Sequence, residues 1–568
     1  EIPKSLKDVY ATYDSIDTPN GVFNECSNLK TIIFEEGSTV IADALFRGCD
    51  GLESVTIPNT VTQIYGYAFA DCKNLKNINI SDSVTVLEEN VFQNDTSITE
   101  INLPDSITAL GRGAFSGCNR LKSIVIPDSV INIGISAFSE CKNLESVTLS
   151  KGLEKIGENA FYNCDSLQSI EIPKSLKDVY ATYDSIDTPN GVFNECDNLK
   201  TIAFEEGSTV IADALFRGCD GLEEVKIPKT VTVIKNHAFN ECIKLKAVEI
   251  SNGMKEIGDS AFSECSNLQK VILPDTVNSM GTNIFYNCIN LTEVHLPNIR
   301  QNITANTFYN CKKLTTINFP STLTTIGNSA FSGCESLPEA ILPSGVEKIE
   351  SNAFKNCKAL KKAAVPDTVS SIGSSAFYGC EALTDITLGS KLKKIDSQTF
   401  YGCTALPSIV IPYNVTTIGD SAFVNCTKLT QITVPRNTTS IESNAFSYPR
   451  KMTMYGPSGC YAQTYANGKC IKYVAQDIHA TSIRLDITNK TAEYYDEFQL
   501  TATIAPQNFT DAVTWTSSNE DVATVSDTGY VEVCGVGTAV ITVIAGNVKA
   551  ACTVTVPQLI DWIKFDED

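Results

Sequence analysis

Histidine is scarce in this chain, with three residues, His237, His295 and His479, among 568. In the repeat register described below they fall far apart, which excludes a histidine-based metal centre or a serine–histidine relay. The sequence also lacks G-x-S-x-G, a phosphate-binding loop, a dinucleotide fingerprint and H-E-x-x-H, the short patterns that would place a nucleophile, a phosphate or a zinc ion. No enzyme activity, cofactor or metal is therefore expected. Positive charge is outnumbered, 44 Lys and Arg against 66 Asp and Glu, for a net charge of −22. Nucleic acid needs a basic patch and anionic lipid attracts one, so neither is an expected partner. No stretch of about 20 apolar residues is present, which excludes a membrane-spanning helix and membrane insertion through one.

What the chain has in quantity is phenylalanine and cysteine on a fixed period. Phe23, Phe46, Phe69, Phe92, Phe115, Phe138 and Phe161 are about 23 residues apart, and after one longer step the spacing resumes from Phe193 to Phe446. This period is in the range of leucine-rich repeats, where each unit is one coil of a solenoid and cannot bury its apolar face alone. The unit reads AFxxCxxLxxIxIPxxVxxIGxx, as in 114–134. Its Leu-x-x-Ile-x-Ile segment alternates with period two, so Ile124 and Ile126 share one face of a short strand and Val125 the other. Pro127 has no N–H for a continuing ladder and ends the strand. About 19 coils with one short parallel strand each are expected.

Cysteine follows phenylalanine by three residues in 17 coils, from Cys26 through Cys118 to Cys426, while Asp95 and Pro449 hold that place after Phe92 and Phe446. Equivalent side chains of stacked coils point the same way and lie one strand spacing apart. A disulfide needs closer, turned Cβ atoms, and zinc needs four converging ligands. The ladder is expected to be free thiols packed as small apolar groups, some donating weakly to turn backbone.

These residues resemble the cysteine-containing leucine-rich repeats of the BspA-like, or treponemal-type, bacterial surface proteins over about residues 1–450. The resemblance implies an α/β-type leucine-rich repeat solenoid of right-handed coils, a secreted or cell-surface bacterial location, and binding of extracellular proteins such as fibronectin or fibrinogen. Residues 451–477 lose the period and look like the cap of such solenoids, closing the open core with a short helix and a strand. Cys460 and Cys470 flank that helix and could be a local disulfide or two unpaired thiols. Short alternating segments from 478 to 556, including "VTWTSSNEDVATVSDTGYVEV" and "GVGTAVITV", are similar to bacterial Ig-like domains of group 2. They are expected to form an all-β sandwich with Trp515 in its core. Cys534 and Cys552 are left unassigned, and 557–568 reads as a tail or truncated linker. Glu1 to Pro3 match the last strand positions of a coil, so the chain is expected to be a piece of a longer one. Its lack of a leader then says nothing against secretion.

Residues 1–26 recur letter for letter at 171–196, within a duplication spanning 1–60 and 171–230. Both copies carry about nine extra residues around "VYATYDSIDTPNG", placing Tyr10 and Tyr13, and their copies Tyr180 and Tyr183, on a loop that could bind or be a tolerated insertion. The second candidate site is the outward face of the strands, eight and ten residues after each phenylalanine, on the concave side. There Glu224, Lys226, Glu249, Lys270, Glu293, His295 and Asn318 make a polar, mixed-charge stretch. The leading expectation is a monomeric bacterial interaction protein binding host or bacterial extracellular proteins. The alternative is a noncatalytic spacer that presents another domain of a larger glycan-binding or enzyme-bearing surface protein.

Overall fold

The computed structural model describes residues 2, 12–13, 19–181, 189–298, 302–447, 451–476, 478–506 and 509–558. The chain forms a β-solenoid followed by an all-β region, and its described residues hold one α-helix, Tyr461–Gly468. Two compact units result, one of residues 1–299 with 306–318, the other of 300–305 with 319–568.

Each coil turns on its phenylalanine. In the first unit the rings from Phe23 to Phe308 stack in one spine, with successive centroids between 5.1 and 5.9 Å apart. In the second unit Phe331 to Phe446 do the same at 5.3–5.6 Å. Offset-parallel rings gain contact and electrostatic energy beyond area burial. Around each ring the backbone N–H groups alternate between the next coil and their own, as Arg47 N–H donates to the Ala44 carbonyl and Cys49 N–H to that of Phe46. Phe46 N–H donates to the Ala68 carbonyl at 2.9 Å, and Gly48 N–H to that of Ala70 at 2.8 Å. To aim those groups along the stacking direction the chain visits the left-handed region on both sides of the ring, as at Ser136 (φ 55°) and Glu140 (φ 61°) around Phe138. This explains why Gly or Asn so often stands two residues after phenylalanine. At Gly117 (φ 76°) a side chain would also collide with Asn94 Oδ1.

The thiols close the contact between coils. Cys72 Sγ donates to the Phe46 carbonyl at 3.1 Å, Cys118 to Phe92 at 3.2 Å and Cys141 to Phe115 at 3.2 Å, and the relation repeats along both units. All cysteines, including Cys460, Cys470, Cys534 and Cys552, are free. The disulfide left open between Cys460 and Cys470 does not form: Cys460 is buried with its sulfur 3.3 Å from the Tyr473 hydroxyl, and Cys470 is exposed.

Two strands, not one, line each regular coil. The expected outward strand is present, as at Ser123–Val125, and a second two-residue strand follows, as at Asn132–Ile133. These second strands pair in parallel as well, seven of them in order from Val40–Ile41 to Asp178–Tyr180. The remaining sides of the coil are turns, so among the described residues no helix backs the sheet as an α/β unit would require. The two copies of the duplicated block share a register, since Ile2 bridges Phe34 as Ile172 pairs with Phe204. In the second copy Asp178–Tyr180 continues the ladder from Lys155–Gly157.

In the second unit the strands Thr453–Gly456 and Lys472–Ala475 extend the outward sheet beyond Gln431–Thr433, and the helix buries Ala462 and Ala466. The Ig-like region packs Leu500, Val531, Ile541, Cys552 and Val554 into a core, against which Trp515 lies partly buried. A second small cluster, Ala480, Ile504, Phe509 and Ala545, accepts Tyr413 from the solenoid. The Tyr413 ring stacks on Phe509 with centroids 4.5 Å apart, and Lys391 pairs with Asp486 at 3.0 Å.

Candidate outward-face site

Five outward strands of the first unit, Glu224–Lys226, Ala247–Glu249, Lys270–Ile272, Glu293–His295 and Thr316–Ile317, bond side by side in chain order. Their central Val225, Val248, Val271 and Val294 are buried, so the pleat turns the flanking residues to the other face. Glu224, Lys226, Glu249, Lys270, Glu293 and His295 are thereby brought together, in the register Glu224↔Ala247↔Lys270↔Glu293 and Ile272↔His295.

The charges on this face are largely committed to one another. Lys226 Nζ lies 3.3 Å from a Glu249 carboxylate oxygen, and Lys270 Nζ lies 2.8 Å from Glu293. Beside them Lys246 donates to Glu223 at 2.6 Å and holds that carboxyl below the usual range. Glu224 makes no ion pair among the described residues. Asn318 differs from its expected role. Its side chain turns back along the sheet, Oδ1 accepting from Leu296 N–H at 2.7 Å and Nδ2 donating to Leu296 carbonyl at 3.1 Å. An amide placed just past a two-residue strand replaces the missing ladder bonds, and it is not offered to a partner.

Between the paired charges lies a hollow of about 410 Å³, lined by Ala247, Ile250, Lys270, Ile272 and Pro274 among others. Ile272 is 52% exposed. The sequence carried a signal for this hollow: eight residues after phenylalanine every other coil through Gln431 has a polar residue and this one has Ala247. Ser251 stands where most coils have proline, and Ile250 before it is half-buried, whereas Ile227 and Leu273 at the same place in the flanking coils are fully buried.

The insertion loop contributes differently. Tyr10 and Tyr183 lie outside the described residues, and of Tyr13 only the backbone is described, in strand Thr12–Tyr13. Tyr180 ends a ladder strand and donates its hydroxyl to the Ile133 carbonyl at 3.2 Å, two coils away. Burial raises its phenol above the usual value. It packs as a brace.

The ladder thiols from Cys49 to Cys426 are buried. Burial, as the largest cause, pushes Cys141, Cys196 and Cys426 up to about 12, and the thiolate is the reactive form. We therefore expect a thiol reagent to titrate the exposed Cys470 and Cys534 quickly in the native chain and the buried ladder only on unfolding. Counting labelled sites by mass spectrometry checks this, and early labelling of Cys141 or Cys265 would contradict it. The histidines stay apart: His237 is half-buried in the turn before Phe239, His295 is on the outward face, and His479 contacts Asp511 at 2.8 Å. Among the described residues no group of three or more His, Cys, Asp or Glu is placed to hold a metal ion, and no helix is long and apolar enough to cross a membrane.

Comparison with known proteins adds to this geometry. The BspA type leucine-rich repeat region (six copies) matches residues 16–142, 109–246, 185–303, 232–360 and 325–453. The bacterial Ig-like domain (group 2) matches 479–556. Similar solved structures include a leucine-rich repeat protein from Bacteroides ovatus, 27% identical, covering 77% of this chain and 88% of that one with a TM-score of 0.35. Others are a leucine-rich cell surface protein from Faecalibacterium prausnitzii, 23% identical (80% and 94% covered, TM-score 0.28), and the pneumococcal vaccine antigen PcpA, 19% identical (81% and 93%, TM-score 0.30). No match is found among curated proteins.

Proposed function

The chain belongs to the BspA type leucine-rich repeat family, and from that premise we propose that it is a secreted or cell-surface bacterial protein that adheres to extracellular host proteins through the outward face of its solenoid. The observation that carries the reading is the five-stranded patch from Glu224 to Ile317, where side chains are held at fixed spacing by a parallel ladder and surround an exposed isoleucine. Preorganised side chains bind without the ordering cost that a flexible loop incurs. The family membership and the Ig-like domain support the location.

The test is saturable binding of the full chain to immobilised fibronectin, fibrinogen and laminin at physiological salt. Replacing Glu224, Lys226, Glu293 and His295 together by serine is expected to weaken binding tenfold or more, about 1.4 kcal/mol. Binding that survives this change moves the site elsewhere on the chain. Absence of binding to all three at micromolar protein leaves the spacer reading, in which the solenoid only presents a further domain.

A further inference from the structure

Resting on the outward-face reading, we propose that the hollow between Ala247 and Ile272 is the anchor point of that face, and that it takes one large apolar side chain, phenylalanine, tyrosine or leucine, projecting from an uncharged polar region of a partner protein.

The shape of the hollow comes from two departures from the repeat. Ala247 lacks the polar group that every other coil through Gln431 carries at its place, and it stands between the longer Glu224 and Lys270 of the flanking strands. Ser251 replaces proline at the strand end and donates its hydroxyl to the Ile227 carbonyl, and Ile250 stays half-buried. Ile272 and Pro274 of the neighbouring coil complete the apolar lining. At about 410 Å³ the hollow is within the range of sites that bury a small apolar group.

The electrostatics select the partner. A partner rich in one sign of charge would gain little from the paired groups, because Lys226 is neutralised by Glu249 and Lys270 by Glu293, which leaves Glu224, across from Ala247, as the carboxylate without an ion pair among the described residues. One member of each pair, Glu249 and Lys270, lines the hollow together with Asn252 beside its apolar residues, and polar groups around a central apolar anchor are the arrangement in which that anchor contributes most of the affinity. A charged partner residue at the centre would be desolvated without a counterion of its own. The complementary surface is therefore an apolar knob with neutral hydrogen-bonding neighbours.

The experiment uses the full chain and small probes that imitate the knob. Saturation-transfer NMR with N-acetyl-phenylalaninamide and N-acetyl-leucinamide should show saturable binding, changing less than twofold between 20 and 500 mM salt, with N-acetyl-lysinamide and N-acetyl-aspartamide at least tenfold weaker. Ala247→Trp fills the hollow from an exposed position and should abolish the signal, and Ile272→Ser should weaken it about tenfold, with unchanged circular dichroism in both. Equal binding of the charged probes, or apolar binding that survives Ala247→Trp, overturns the proposal. Matrix-protein binding untouched by Ala247→Trp also overturns it and leaves the adhesion reading standing. Apolar probes seated in the hollow with no matrix protein bound would instead sink the adhesion reading alone. A concentration-dependent dimer in sedimentation that Ala247→Trp dissolves would replace the foreign partner by a second copy of the chain.

Discussion

Replacing Asp95 by cysteine is expected to strengthen its coil by about 2 kcal/mol at pH 8, the cost of leaving a buried polar atom unsatisfied. Asp95 occupies the place of a ladder thiol and is fully buried. Its Oδ1 accepts from Cys72 N–H at 2.7 Å, while Oδ2 has no hydrogen-bond partner. Burial, and to a smaller extent the charge of Asp71, raises this carboxyl well above its ordinary range, partly offset by the Cys72 bond. The direction of the pH effect follows. A raised native value means that the folded chain holds the proton more tightly than the unfolded chain. The associated stability is complete below about pH 3.9, the ordinary aspartate value, and is lost as pH rises through the native value. Amide hydrogen exchange around Phe92 reads this locally. At pH 8 the protection in Asp95→Cys should exceed that of the natural chain by roughly 30-fold, since 1.36 kcal/mol is a factor of ten, and the gap should narrow toward pH 4. Asp95→Asn, which keeps the shape without the charge, should remove the pH dependence. A gap that is the same at both pH values would show that Asp95 acts through packing only.

The second large effect concerns the spine. Phe262→Ala removes a fully buried ring that stacks on Phe239 at 5.4 Å and on Phe285 at 5.9 Å. We expect a loss of about 4 kcal/mol from the cavity and the lost transfer energy, with a further contribution from two broken stacks. Because the stacked rings bind each coil mainly to its neighbours, the loss should concentrate in the coils of Phe239, Phe262 and Phe285 and leave distant ones protected. Cys265→Ala in the same coil removes only a weak thiol donor and should cost about 1 kcal/mol. Chemical denaturation combined with hydrogen exchange distinguishes the two, and a cysteine change as damaging as the phenylalanine change would mean that the thiol bond, not the ring stack, holds the coils.

Much of this architecture was legible in the residues because the repeat averages over many coils. Phenylalanine, cysteine and the Leu-x-x-Ile-x-Ile run each return at one offset, so the coils, the strand and the packed free thiols follow from the period, whereas the stacking of the rings was seen only in the structure. The second strand did not show, since two residues such as Gln63 and Ile64 are too few to display an alternation. The left-handed turns were signalled by Gly117 and Asn163 yet masked by Glu140 and Glu195 at the same offset, where hydrogen bonding between coils outweighs residue preference. The outward face was located, but its character was not. Charge drew the reading to Lys226 and Glu293, and pairing across strands cannot be seen until the register is known. Asn318 lay at a binding offset and turned back to its own backbone because its strand stops a residue early. Ala247, which shapes the hollow, carries no chemistry of its own and is informative only as the exception in its row.

The shared register of the duplicated block has a genetic consequence. Ile2 bridges Phe34 and Ile172 pairs with Phe204, so either copy presents the same face to the coil that follows. Unequal recombination between two stretches identical over 26 residues would excise or add a run of complete coils in frame, and every surviving coil would still find the neighbour its hydrogen bonds require. The coils from Phe23 to Phe161, those of the first copy and those between the copies, with the coil of Asp95 among them, are exchangeable in this way. The outward strands from Glu224 to Ile317 all follow the identical stretch at 171–196, so the lineage can gain or shed length without disturbing that face.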